Sequence, residues 1–229
     1  MFSRGRNSKS TIDLAAPESK IPKFVASLGT PYSQQVKRLY QMDGAGMEAF
    51  SLRGSVEFAA VDEAEQSETL KLLAMVEGLK VVDLGGCGLT KASVPSLQRI
   101  LFLSKSIRVL QAPSNLLGPP EIVQVLQGVP YFTTCQVLNL AMIEVPTQAM
   151  VSAALDTARR TLGLRFLFLT TVEVLEALDE SHHEVLAMLA ELSKLLAARD
   201  TSPSGAPAYT YIALPTSQAP TQQMSYLEA

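Results

Sequence analysis

Four short apolar segments recur along this chain at nearly constant spacing: Leu79–Leu84, Ile107–Ala112, Cys135–Leu140 and Leu164–Leu169. Their starts lie 28, 28 and 29 residues apart. A period of this length means one supersecondary unit per repeat, each burying its apolar side only against the next. The segments are short and β-branched or aliphatic, which reads as strands. Helical patterns follow them. Val94–Leu103 places Leu97, Ile100 and Leu101 on one face, and Pro119–Leu126 opens on prolines suited to a first helical turn. Thr147–Leu162 carries Met150, Val151, Ala154, Leu155 and Ala158 at three- and four-residue spacing. His183–Ala198 has a stripe of Val185, Leu186, Leu189, Leu192 and Leu196. Ahead of the repeats, Phe50–Phe58 reads as a strand and Glu63–Glu77 as a helix. The expected fold class is therefore α/β: about five tandem βα units with a parallel sheet, strands in sequence order.

Composition limits what such a body can do. The chain is 47% hydrophobic and 18% charged, enough for a sizeable core. A formal charge of -3 excludes a uniformly basic nucleic-acid binder. Two cysteines, Cys87 and Cys135, and two histidines, His182 and His183, leave little for metal or nucleophilic chemistry. The cysteines read as small buried hydrophobes. Adjacent histidines point about 100° apart on a helix, so no metal site is expected of them. Gly85-Gly86-Cys87-Gly88 follows a strand but has no Lys-Ser/Thr after it, so turn glycines are expected there rather than a phosphate cradle. No G-x-G-x-x-G or G-x-S-x-G pattern occurs. The expectation is a non-enzyme without a cofactor, metal or small-molecule substrate.

The ends differ from the body. Residues 1–45 read as a basic, flexible arm, with Arg4, Arg6, Lys9, Lys20, Lys23, Lys37 and Arg38 against Asp13 and Glu18. Such an arm allows weak contact with anionic membrane or nucleic acid, and a structural or assembly protein that uses the arm in this way is one alternative function. Within it, Lys23–Tyr40 is amphipathic enough to dock on the body, which is taken as 46–200. Residues 201–229 form a Ser/Pro/Gln-rich tail with one short strand expected at Ala208–Leu214. The basic start lacks the apolar core of a secretory signal, and no segment has about 20 apolar residues in a row, so a cytoplasmic protein is expected.

The units match L-x-x-L-x-L-x-x-N/C-x-L. The first supplies Leu79, Val82, Leu84, Cys87 and Leu89, and the second Ile107, Leu110, Ala112, Asn115 and Leu117. The third supplies Cys135, Leu138, Leu140, Ile143 and Val145, and the fourth Leu164, Leu167, Leu169, Val172 and Val174. With Cys87-Gly-Leu-Thr90 and Ser114-Asn-Leu-Leu-Gly118, the run resembles leucine-rich repeats of the ribonuclease-inhibitor type over Leu79–Leu196. Ile143 and Val172 depart from it, standing where Asn or Cys belongs. The resemblance implies an open strand face that binds another protein, as an interaction or scaffold module. Two columns would line it: Val81, Val109, Val137 and Phe166, beside Asp83, Gln111, Asn139 and Phe168. Four apolar residues in a row on a sheet face bind a partner, are covered by the chain's own ends, or belong to a sheet that is part of a sandwich and not a solenoid.

A second likeness covers Phe50–Phe132. Phe50-Ser-Leu-Arg-Gly-Ser-Val-Glu-Phe58 and Val81-Val-Asp-Leu-Gly-Gly86 resemble strands of STAS domains, the fold of anti-sigma-factor antagonists. That likeness implies a regulatory switch acting on a kinase or sigma-type partner, with Ser93 at the phosphoacceptor place. Its usual Asp and Gly neighbours are absent from Lys91-Ala92-Ser93-Val94.

Overall fold

Val82, Leu110, Leu138 and Leu167, the middle residues of four successive strands, are all fully buried. In the computed structural model, which describes residues 21–42, 44–199 and 211–214 (Met42 and Leu214 by their backbone only), they lie side by side. The strands are β1 (Ala49–Ser51), β2 (Val81–Asp83), β3 (Val109–Gln111), β4 (Val137–Asn139) and β5 (Phe166–Phe168). They form one sheet in the order β1-β2-β3-β4-β5, parallel throughout. Sequential order is what short βα links favour. Pairing follows the period: Val81 faces Val109, Val109 faces Val137, and Val137 faces Phe166.

The helices are α1 (Thr30–Met42), α2 (Val56–Ala59), α3 (Glu63–Leu73), α4 (Val94–Leu103), α5 (Pro119–Gln127), α6 (Gln148–Arg160), α7 (Val172–Glu176) and α8 (His183–Ala197). Of these, α3, α4, α5, α6 and α8 pack in that order as a layer. Local chemistry sets their starts. Asp62 accepts from the Ala64 and Glu65 N–H groups, and Thr147 Oγ1 from that of Met150. Glu121 reaches back to the Gly118 N–H. Their ends are held by the next repeat. The Arg160 guanidinium donates to the Leu126, Gln127 and Val129 carbonyls at the close of α5, and Arg199 serves Ala158, Thr161 and Leu164 after α6. A cation at a helix C-terminus complements orphaned carbonyls and the helix dipole together.

Three regions depart from the sequence reading. Phe50–Phe58 is not one strand. Gly54 sits at φ +69°, where a side chain is strained, and turns the chain after β1. Ser55 then caps α2 by accepting from the Phe58 N–H, and Phe58 is fully buried. Ile143 and Val145 are not inward-facing repeat positions: they are exposed, and Met142 is the buried neighbour. With no Asn at 143, that turn lacks the side-chain clamp that Asn115 provides one unit earlier, and the Ser114 N–H to Ala141 carbonyl bond joins it to the preceding unit. Residues 23–42, read as part of a flexible arm, form a 3₁₀ turn (Lys23–Ala26) and α1, burying Val25, Leu28, Val36 and Leu39. Docking of Lys23–Tyr40 is thus realised.

Both sheet edges are met by segments outside the βα units. The Gln35 side-chain amide pairs with the Ser51 backbone, accepting at 2.7 Å and donating at 3.1 Å, as a neighbouring strand would. At the far edge, Leu167 and Leu169 donate to the Tyr211 and Ile212 carbonyls. The strand β7 (Ala213–Leu214) continues in parallel along β6 (Thr170–Thr171). This is the tail strand expected at Ala208–Leu214, of which 208–210 lie outside the described residues. Closing the edges removes unpaired backbone that would invite aggregation.

Candidate interaction face

Side chains alternate across a strand, so residues flanking each buried centre point away from the helical layer. The first and third residues of the five strands therefore make two columns on the opposite face. Val81, Val137 and Phe166 are half-buried there, and Val109 is only 2% exposed. In the neighbouring column Asp83 is half-buried, whereas Gln111, Asn139 and Phe168 are buried. All eight residues named from the sequence thus stand in two adjacent rows in register.

The face is polar at one end and aromatic at the other. Arg53 Nε donates to Asp83 Oδ2 at 2.6 Å, and its Nη2 to Gln111 Oε1 at 2.7 Å, so one guanidinium ties three coils together. Asp83 Oδ1 also accepts from the Gly85 N–H, and the Tyr32 hydroxyl donates to the Arg53 carbonyl. At the other end the Phe166 ring stacks on Phe168 (6.0 Å, 19°) and on Tyr211 (5.3 Å, 18°). Tyr211 comes from the tail, so the chain's own end covers one margin of the apolar column. Between the two ends lies Asn139. It is wholly buried; its Oδ1 accepts from the Ala141 N–H, while its Nδ2 has no partner among the described residues.

Arg53, Tyr32 and Tyr211 were not picked out from the sequence as face residues. Extending the Asp83–Phe168 column back to Ser51 and two residues onward would have reached Arg53. The 28-residue period hid this, because β1 precedes β2 by 32 residues in the pairing register. Nothing local marks Tyr211, which arrives through the tertiary fold.

Behind the face the turns are fastened by Asn115. Its Oδ1 accepts from the Cys87 and Leu89 N–H groups, and its Nδ2 donates to the Leu84 and Ala112 carbonyls, all within 3.0 Å. One coil earlier, Cys87 Sγ donates to the Leu52 carbonyl at 3.0 Å. At equivalent positions Asn and Cys thus share the donation to a carbonyl of the preceding unit, Leu84 and Leu52 respectively.

Comparison with protein-family models, with curated proteins and with solved structures finds no match.

The remaining candidates lie elsewhere. Ser93 is buried on the rim where β2 leads into α4, in a capping box with Thr90, its Oγ accepting from the Thr90 N–H. Burial pushes the thiols of Cys87 and Cys135 up to about 12, so both are held as neutral thiols. Gly88, at φ +67°, has a site where a Cβ would lie 2.8 Å from that of Ala59, which explains a turn glycine. His182 Nδ1 lies 2.9 Å from Asp179, whose carboxyl is held below its usual range by hydrogen bonds from Ser181 and His182. Among the described residues no group of three or more His, Cys, Asp or Glu side chains is placed to hold a metal. No helix among them is long and apolar enough to cross a membrane. The basic positions Arg4, Arg6, Lys9 and Lys20 lie outside the described residues.

Proposed function

We propose that this chain is a non-catalytic, leucine-rich-repeat-like interaction module that takes a protein partner on its strand face. One observation carries the reading: two in-register columns on the sheet face away from the helices, polar around Arg53, Asp83 and Gln111 and aromatic around Phe166, Phe168 and Tyr211. Apolar groups set beside hydrogen-bonded polar ones are how protein interfaces combine desolvation with orientation. The Asn115 and Cys87 contacts, and the sequential strand order, favour the repeat reading over the STAS-like one.

Photo-crosslinking tests it. A crosslinker at Val137, which is half-buried on the face, should give a discrete protein adduct that Val81→Lys removes while the far-ultraviolet spectrum stays unchanged. The same group at exposed Glu68 on α3 should give none. Equal adducts from both positions, or an adduct indifferent to Val81→Lys, would sink the strand-face assignment.

A further inference from the structure

Because the strands are all parallel, every helix-to-strand connection emerges at one rim of the molecule and every strand-to-helix connection at the other. The first rim exposes large apolar side chains at four of these connections, the one between α1 and β1 excepted, where Met47 is buried. Met75 follows α3, Phe102 and Leu103 close α4, Tyr131 and Phe132 follow α5, and Leu162 follows α6. They are not isolated: the Phe102 and Phe132 rings pack edge-on at 5.5 Å across two repeats, and Tyr131 meets Phe132 at 5.2 Å. A contiguous aromatic patch of this kind on a surface calls for an apolar environment.

The two rims differ in their balance of charge, although exposed Glu77 and the Lys80–Glu48 pair also stand on the first and exposed Lys91 on the second. Beside the aromatic patch stand Lys71, Arg99, Lys105 and Arg165, all exposed and none in an ion pair among the described residues. Lys71 and Arg99 line a shallow open cleft together with Phe102 and Leu103. The opposite rim also exposes Val56, Leu116 and Ile143, but it surrounds them with Glu57, Glu121 and Glu144. Only one rim offers aromatic tips with unpaired cations. Aromatic rings at headgroup level with cations above anionic lipid form the signature of interfacial binding.

We infer that this rim is a docking surface for an anionic lipid bilayer, with Phe102, Tyr131 and Phe132 entering the interface and Lys71, Arg99 and Lys105 facing lipid phosphates. The rim lies at the ends of the strands and not on the strand face, so this surface is distinct from the protein-binding one.

The test uses the full chain and large unilamellar vesicles of phosphatidylcholine, with or without about a third phosphatidylserine. Co-sedimentation is expected with the anionic vesicles, weakening as salt is raised through the Debye-screening range. Phe102→Asp with Phe132→Asp should weaken it by about tenfold or more, since apolar area is lost and two negative charges are placed against anionic lipid. Both side chains are exposed, so the variant should keep its melting temperature, and Leu116→Asp on the other rim should bind as the parent does. The chain has no tryptophan, so Phe102→Trp places a single indole at the contact. Its emission should shift to the blue with anionic vesicles. The proposal is overturned by absence of binding to anionic vesicles, by an unshifted indole, or by binding that Arg4→Gln with Arg6→Gln removes while the rim variant keeps it. Concentration-dependent self-association that the rim variant abolishes, without vesicle binding, would equally replace it.

Discussion

Asn115 illustrates how one side chain substitutes for missing backbone pairing. Its amide satisfies two N–H donors and two carbonyls where the chain leaves β2 and β3, groups that would otherwise be stranded inside a turn. Cys87 works with a weaker donor one coil earlier, and its burial has a consequence for pH. Burial places the folded thiols at about 12, whereas 9.0 is the ordinary value. The neutral form is thus favoured in the fold, and the unfolded chain loses its thiol protons first. The stabilisation is fully present below about pH 9 and is lost as pH rises towards 12. In the native protein at pH 8, a thiol reagent should react with neither cysteine, and with both once denaturant is added. Rapid native labelling of either would contradict the burial.

Each element is built to bury one side and is completed by its neighbours. The strands have only three residues, too few to persist alone, and are held by the flanking coils and the helices behind. The centre of that layer is Leu110 and Leu138, both fully buried. Replacing either with Ala removes packing on several sides, and a loss of about 2–5 kcal/mol is expected from chemical denaturation. A loss below about 1 kcal/mol at both positions would mean that the central strands are not packed as described. The helices likewise rely on their neighbours, with Arg160 and Arg199 completing ends that α5 and α6 leave open.

The whole molecule is a row of units whose two open edges need separate closure. The Gln35 amide closes one and the Tyr211–Leu214 segment the other. Ile212 anchors the second closure with no exposure at all. Ile212→Asp puts an unpaired carboxylate into that contact, so stability should fall by about 3 kcal/mol or more and the freed edge of β5 should promote aggregation. Light scattering beside a thermal melt measures both. A variant that melts like the parent and stays monodisperse would show that the tail segment is not a structural edge.

The sequence by itself determined the repeating layer. A period of 28 or 29 residues with apolar positions at strand spacing, followed by helical stripes, points to parallel βα units in order, because that arrangement buries each stripe against its neighbours. It also named both face columns, since side-chain alternation is a local property of an extended chain. Local signals misplaced the boundaries around 50–58, where Gly54 and the Ser55 cap outweigh apolar alternation, and at Ile143 and Val145, where no Asn fastens the turn. What only the tertiary structure decided is how the row ends and which exposed residues become neighbours. Gln35 joins Ser51, Arg53 bridges Asp83 and Gln111, Tyr211 stacks on Phe166, and Phe102 meets Phe132. These pairs come from segments 16 to 58 residues apart, outside any local pattern, and form only once packing has fixed every coil beside the next.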